Sequence, residues 1–211
     1  MKLNADFSAP TVVHAAKLPW VSSPTRGVER RMLFRIGDEK ARATSIVRYA
    51  PNSHFPAHGH PGGEEILVLD GVFQDESGNY PAGSYMRNPP GSGHRPGSEQ
   101  GCVIFVKLWQ FRRDDHDFVA LRNGDGILFE NGHEQVRIEA WPATRDVELD
   151  NAQGLELLVL DGSLTDATET FTRLSWLRLP AGVSLRARTG AHGARVWLKV
   201  GALQQENLCA F

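Results

Sequence analysis

The chain has 211 residues, with 23 basic against 25 acidic side chains, 21 Gly, 12 Pro and two Cys. The near-neutral balance argues against a charge-driven grip on nucleic acid, and two cysteines make neither a disulfide framework nor a zinc knuckle. The longest uninterrupted apolar run, Cys102 to Val106, falls far short of the roughly 20 residues that span a bilayer.

The first residues, Met1-Lys2-Leu3-Asn4-Ala5-Asp6, lack the apolar stretch of a secretory signal. The expectation is a soluble, cytoplasmic protein with no nucleic-acid partner and no membrane partner. Residues 1 to about 25 contain Pro10, Pro19 and Pro24 and read as an extended arm laid over a barrel. Arginines follow: 18 of the 23 basic residues are Arg, and Arg26, Arg30, Arg31, Arg35, Arg42 and Arg48 crowd the first quarter. Salt bridges on the surface and between barrels would explain them; so would an anion site, because a guanidinium pairs with carboxylates in a two-pronged way.

From there on the sequence reads as strands. Ser45 to Tyr49, Ile66 to Leu69, Val103 to Lys107 and Arg195 to Val200 are short and rich in β-branched or aromatic residues. Clusters such as Pro51-Asn52-Ser53, Pro61-Gly62-Gly63, Ser77-Gly78-Asn79 and Pro89-Pro90-Gly91-Ser92-Gly93 break them as turns. No capped helical period longer than ten residues stands out, so the prediction is an all-β sandwich or barrel.

Histidines gather around two of these turns. If His58-Gly59-His60 is extended, its two imidazoles point to one face, about 7 Å apart at the backbone. The turn at Pro61-Gly62-Gly63 lets Glu64, at the start of the next strand, return a carboxylate to the same point. The second Gly-rich turn then delivers His94. Three neutral imidazoles and a carboxylate suit a divalent first-row transition metal. His54 is either a solvated loop residue or an entrance group. Cys102 is either a small buried hydrophobe or a redox thiol.

The second half repeats the first. Glu65 to Gly71 recurs as Glu156 to Gly162 at an offset of 156 − 65 = 91, which also sets Ala50-Pro51 on Trp141-Pro142. Pro81-Ala82-Gly83 recurs as Pro180-Ala181-Gly182, offset 99, and Val106-Lys107 as Leu198-Lys199, offset 92. These matches predict about eight extra residues in one loop of the second copy and about seven fewer in a later loop. They set Arg186 opposite Arg87, a structural pairing position, and Gly193 opposite His94. Phe105 falls on Trp197, a core position. The charged stretch Arg112 to Asp117 marks the junction, giving an arm plus first barrel over 1–112 and a second barrel over 113–211.

The repeat also separates Glu64 from Glu65. The offset of 91 maps His58, His60 and Glu64 onto Leu149, Asn151 and Leu155, whereas Glu65 is kept as Glu156. A residue that persists where its neighbours are lost reads as structural, so Glu64 is the candidate ligand, facing the barrel interior with Ile66 and Val68. His192, with no such partners nearby, is not expected to bind a metal. His14, His116 and His133 have no grouping.

His58-Gly59-His60, Glu64 and Gly71 resemble the first cupin motif, and Gly83 through Pro89-Pro90-Gly91-Ser92-Gly93-His94 resemble the second. The second motif usually ends on Asn three residues beyond its His, where this chain has Ser98. The run from His58 through Arg87-Asn88 to Gly101-Cys102 resembles the cupin domain of ChrR-type anti-sigma factors. The resemblance covers most of residues 30–110. It implies a bicupin: two tandem jelly-roll-like β-barrels, with one metal on His58, His60, Glu64 and His94 and none in the degenerate second barrel. It implies zinc first among the metals, with iron, manganese or nickel as alternatives, and a role in sensing oxidants or reactive small molecules. ChrR-type regulators hold the sigma factor with a helical domain bearing a His and a CxxC pair. This chain has no Cys before Cys102, so anti-sigma activity is not carried over.

Two functions fit. Four protein ligands would fill a tetrahedral zinc site and make a sensor whose metal holds the barrel together. Iron, manganese or nickel would keep one or two positions open for a dioxygenase or related enzyme acting on a small diketone or hydroxy-ketone. The expected partners are a small molecule at the metal, a protein partner, and a second copy of the chain paired along exposed strand edges.

Overall fold

Short runs of β-branched and aromatic residues become paired strands almost everywhere in the computed structural model, which describes residues 1–201, 203 and 207–210. Among these, the one helical element is a 3-10 turn at Ala15–Lys17, and no helix is long and apolar enough to cross a membrane. The fold is all-β, built as two jelly-roll-like units whose antiparallel sheets stay open.

The two units use the same strand order, with one added edge strand, Lys2–Leu3, in the first. In the first it is Lys2–Leu3, Val28–Gly37, Ala41–Tyr49, Cys102–Leu108, Glu64–Asp75, Tyr85–Asn88 and Val119–Leu121. In the second it is Gly126–Glu130, Glu134–Trp141, Leu185–Gly201, Leu155–Thr165, Ser175–Leu179 and Thr11–His14. The last strand of each lies outside the repeated stretch. Val119–Leu121 pairs with Tyr85–Arg87, and Thr11–His14 pairs with Ser175–Arg178.

This pairing corrects the expected boundary at 112/113. The first unit takes residues 1–5, 19–124 and 207–210, and the second takes 6–18, 125–201 and 203. The arm is therefore divided between the units, and residues 113–124 stay with the first. A charged stretch marks exposure; it does not reveal which sheet edge the flanking residues will pair with.

Backbone register also corrects the repeat. Gly83 donates to the Val68 carbonyl as Leu174 does to the Val159 carbonyl, both at 2.8 Å. Gly91 donates to the His60 carbonyl at 3.0 Å as Gly182 does to the Asn151 carbonyl at 2.7 Å. The offset thus stays at 91 through this region, where eight extra residues were expected. On either side it is 92, setting Tyr49 against Trp141 and Cys102 against Ala194, each pair facing each other across the same two strands. The match of Pro81-Ala82-Gly83 to Pro180-Ala181-Gly182 is turn chemistry repeated at two unrelated turns, each needing a left-handed glycine at φ 90° and 83°. The counterpart of Arg87 is therefore Arg178, that of His94 is Leu185, and that of Gly193 is Gly101.

With the register corrected, the units share a buried row of charge. Arg87 and Lys107 flank Glu65 on neighbouring strands, as Arg178 and Lys199 flank Glu156. All six side chains are buried. They occupy the sheet face opposite Glu64, Ile66 and Val68. Tyr85 donates to Glu65 at 2.9 Å, and Arg87 makes a two-pronged contact with Asp115 at 2.7 and 2.5 Å while lying 4.3 Å over the Phe111 ring. Phe105 and Trp197 are both buried, as their matched positions imply.

Removing Asp115 would leave the Arg87 guanidinium buried without its main counter-charge, so Asp115→Ala should cost about 3 kcal/mol or more of unfolding free energy. Urea denaturation measures this; a change under about 1 kcal/mol would show that Glu65 alone holds the guanidinium.

Candidate metal centre

The site begins with two three-residue strands. His58–His60 pairs antiparallel with Ser92–His94, setting His58 opposite His94 and Gly59 opposite Gly93. A Cβ on Gly93 would sit 2.6 Å from the His58 carbonyl oxygen, so the glycine lets the strands approach. The turn at Gly62-Gly63 is shaped by what packs on it: Cβ atoms there would lie 2.2 Å from the Trp109 ring and 2.4 Å from the Phe111 ring. Aromatic side chains just beyond the Cys102–Leu108 strand thus clamp the turn that aims Glu64.

The imidazoles converge. Their ring centroids are 5.1 Å apart for His58 and His60, 5.2 Å for His58 and His94, and 4.6 Å for His60 and His94. Each offers a nitrogen within 4.8 Å of the other two. Glu64 Oε2 lies 3.4 Å from both His60 Nδ1 and His94 Nε2. His60, Glu64 and His94 are buried, and His58 is exposed. The structure thus brings together the four residues singled out from the sequence and turns Glu65 to the other face.

Burial sets the charge states. Desolvation, with His94 and His58 nearby, pushes His60 down to about 3. Desolvation and His58 also lower His94, against the opposing pull of Asp75 and Glu76. The Glu64 carboxyl is pushed up to about 8 by desolvation, opposed by a hydrogen bond donated by Asn88 at 3.4 Å. His60 Nε2 is buried and has no hydrogen-bond partner, although a buried polar nitrogen normally has one. A divalent cation would give that nitrogen an electron-pair acceptor and would replace the proton on Glu64. The donor set fits such an ion: neutral imidazoles and one carboxylate suit zinc, iron, manganese or nickel.

Several contributors carried no signal in the sequence. Asp75 Oδ2 lies 3.7 Å from His94 Nδ1, on the side of the ring away from Glu64. Asn88 is the cross-strand partner of Glu64. A cavity of about 290 Å³ opens on the cluster, with His58, His60 and Glu64 in its wall beside Arg30, Tyr49, Val47, Ile104, Val106, Leu108 and Trp109. Strand alternation could have placed Val47 and Tyr49 there, since they share a face; Arg30 joins them only through strand pairing.

Other candidates fall away from this cluster. His54 is exposed and lines a separate cavity with Asp75, Glu76 and Arg95. His14 bonds Ser175 and Glu169. His192 is exposed on the Leu185–Gly201 strand. Cys102 belongs to the inner apolar cluster, and burial pushes its thiol up to about 11, which favours the hydrophobe reading over the redox one. In the second unit the four places hold Leu149, Asn151, Leu155 and Leu185, with Leu149 paired opposite Leu185 as His58 is opposite His94. Asn151 spends its amide on the carbonyls of Leu179, Pro180 and Val183 and accepts from the Gly154 N–H.

The ChrR cupin-like domain family matches residues 8–112. No curated protein sequence matches the chain. Among solved structures, a candidate dioxygenase from Nostoc punctiforme aligns over 97% of this chain and 87% of its own, at 15% identity and TM-score 0.75. Protein Ylba from E. coli aligns over 92% of each chain at 15% identity and TM-score 0.70. The bacterial pirin YhhW from Escherichia coli, in complex with nickel(II), aligns over 92% of this chain and 99% of its own, at 13% identity and TM-score 0.69. At these identities the likeness is one of fold.

His94→Ala should lower bound metal at least about tenfold while His192→Ala leaves it unchanged, read by elemental analysis of purified protein. Full occupancy of the His94 variant would remove that residue from the set. Because the proton on Glu64 must leave when a cation enters, metal affinity should rise by about fivefold from pH 7 to about 8. The same sign makes the metal-free protein lose stability as pH climbs from the ordinary carboxyl value towards about 8, since only the folded state still holds that proton. Calorimetry in buffers of different ionisation enthalpy counts the released proton; none released would place Glu64 outside the coordination sphere.

Proposed function

Because the chain belongs to the cupin superfamily and carries a ChrR-like cupin domain, we propose that it is a metal-dependent enzyme of the dioxygenase kind. It holds one divalent transition metal on His58, His60, Glu64 and His94 and acts on a small molecule that chelates through oxygen, such as a diketone or hydroxy-ketone. The observation that carries this reading is the cavity of about 290 Å³ with three of the four residues in its wall. A metal that only tied strands together would need no such chamber, whereas small-molecule sites are concave and mostly apolar with a few convergent polar groups.

When bound, the metal supplies a Lewis acid and, if it is iron, manganese or nickel, oxygen chemistry. The chain's own residues do the rest. The imidazoles of His60 and His94, held neutral by burial, offer lone pairs without first losing a proton. Val47, Ile104, Val106 and Leu108 line the chamber with hydrocarbon and exclude water from the reacting end. Tyr49 is held protonated by burial, so its hydroxyl can donate a hydrogen bond to a substrate oxygen. Asp75 braces the far nitrogen of His94.

The ChrR-like match favours a second reading, a zinc-holding regulatory barrel of a cytoplasmic stress response. Metal analysis of protein purified without added metal, combined with oxygen uptake on adding small diketones and hydroxy-ketones, tests the two. Iron, manganese or nickel with oxygen uptake supports the enzyme. Stoichiometric zinc with no uptake from any of these compounds overturns it in favour of the regulatory barrel.

A further inference from the structure

The six arginines of the first quarter have separate fates. Arg31 and Arg48 lie 4.3 and 4.5 Å from the Trp20 ring, and Arg48 also bonds Glu29. Arg35 donates to the Asp38 carbonyl, Arg42 lies over Phe34, and Arg26 is exposed. Arg30 differs. It pairs with Val47 across the sheet, stands on the same face as Val28 and Tyr49, and lines the cavity that the metal cluster opens on. Its Nε is buried with no hydrogen-bond partner, as is that of Arg31, but Arg31 lies over Trp20 and does not line the cavity. Its nearest carboxylate, Glu39, is 3.8 Å away and has a 73% exposed side chain, so it is a weak, solvent-screened counter-ion. Arg30 thus brings a guanidinium with an unused donor, and only a solvent-screened counter-ion, to a chamber walled by Val47, Ile104, Val106 and Leu108.

The second unit supports the link to function. One residue beyond the last pairing of its edge strand, Gly126 with Ile138, the place of Arg30 falls on Asp125, whose carboxylate is outside, 3.7 Å from Arg195. The cation is absent from the same unit that lacks the histidines. A structural arginine would be expected to persist, as the pair Arg87 and Arg178 does.

We propose that Arg30 reads the carboxylate of the small molecule taken into this cavity, so that the substrate class is a small carboxylic acid with an apolar body. This rests on the proposed function for the identity of the chamber as a substrate site, but the arginine's contact does not depend on turnover. A carboxylate is favoured over phosphate because a compact apolar chamber of about 290 Å³ suits a hydrocarbon body ending in one small planar anion.

The test compares benzoate with benzamide, two probes of the same shape and different charge, by calorimetry on metal-loaded and metal-stripped protein. Wild type should prefer benzoate by at least about tenfold in both forms. Arg30→Gln should bring the ratio to about one with metal content unchanged, and Arg30→Lys should restore part of it. Inorganic phosphate should not displace benzoate. No preference in wild type, a preference that survives in R30Q, or displacement by phosphate would each overturn the inference. A surviving benzoate preference in a protein that holds zinc and takes up no oxygen would remove the enzyme reading and leave the carboxylate subsite standing.

Discussion

His58 and His94 face each other across a pair of strands only three residues long, and the candidate metal centre depends on that pairing. Neither strand has the length to be stable alone. They are held from outside: Gly59 opposite Gly93 allows close approach, and the turn between His60 and Glu64 is pinned under Trp109 and Phe111. These supports bring the His58, His60 and His94 nitrogens within 4.8 Å of one another. Burial then keeps His60 and His94 neutral, with lone pairs ready for a cation, and Glu64 protonated, so that an entering cation must displace that proton.

The second unit shows the same backbone without that demand. Leu149, Leu155 and Leu185 occupy the places of His58, Glu64 and His94 and pack with Leu157, Val159 and Leu198 in one apolar cluster. Each fully buried leucine contributes about 1.5–3 kcal/mol, whereas each buried imidazole or carboxyl must be desolvated at a cost. The first unit gives up hydrocarbon at its centre for polar side chains, and the second has a continuous core. Both keep the buried row on the opposite face, Glu65 with Arg87 and Lys107, and Glu156 with Arg178 and Lys199. Persistence in both units marks that row as architecture.

Loss from the second unit is the complementary signal. The histidines, Glu64 and the arginine facing the cavity are all missing there, and in the first unit all but His94 border one chamber. A chamber with a proposed metal at one part of its wall, a cation at another and hydrocarbon between them has the polarity of a binding site for a small molecule with two polar ends.

Short-range pattern determined much of this by itself. The all-β class and the four residues around the Gly-rich turns followed from spacing and period-2 alternation, which are local properties of a strand, and the duplication, legible as repeated residues, separated Glu64 from Glu65. Long-range pairing decided the rest. The tripeptide Pro-Ala-Gly occurs at two turns that need the same glycine conformation, so matching residues alone misplaced Arg186 and Gly193; only the hydrogen bonds from Gly83 and Leu174 to equivalent carbonyls show the true register. The exchange of Thr11–His14 into the second unit and the entry of Arg30 into the chamber likewise depend on which sheet edge a segment joins. A strand's sequence says which of its residues share a face, but its neighbour, and hence what that face meets, is chosen by the rest of the fold.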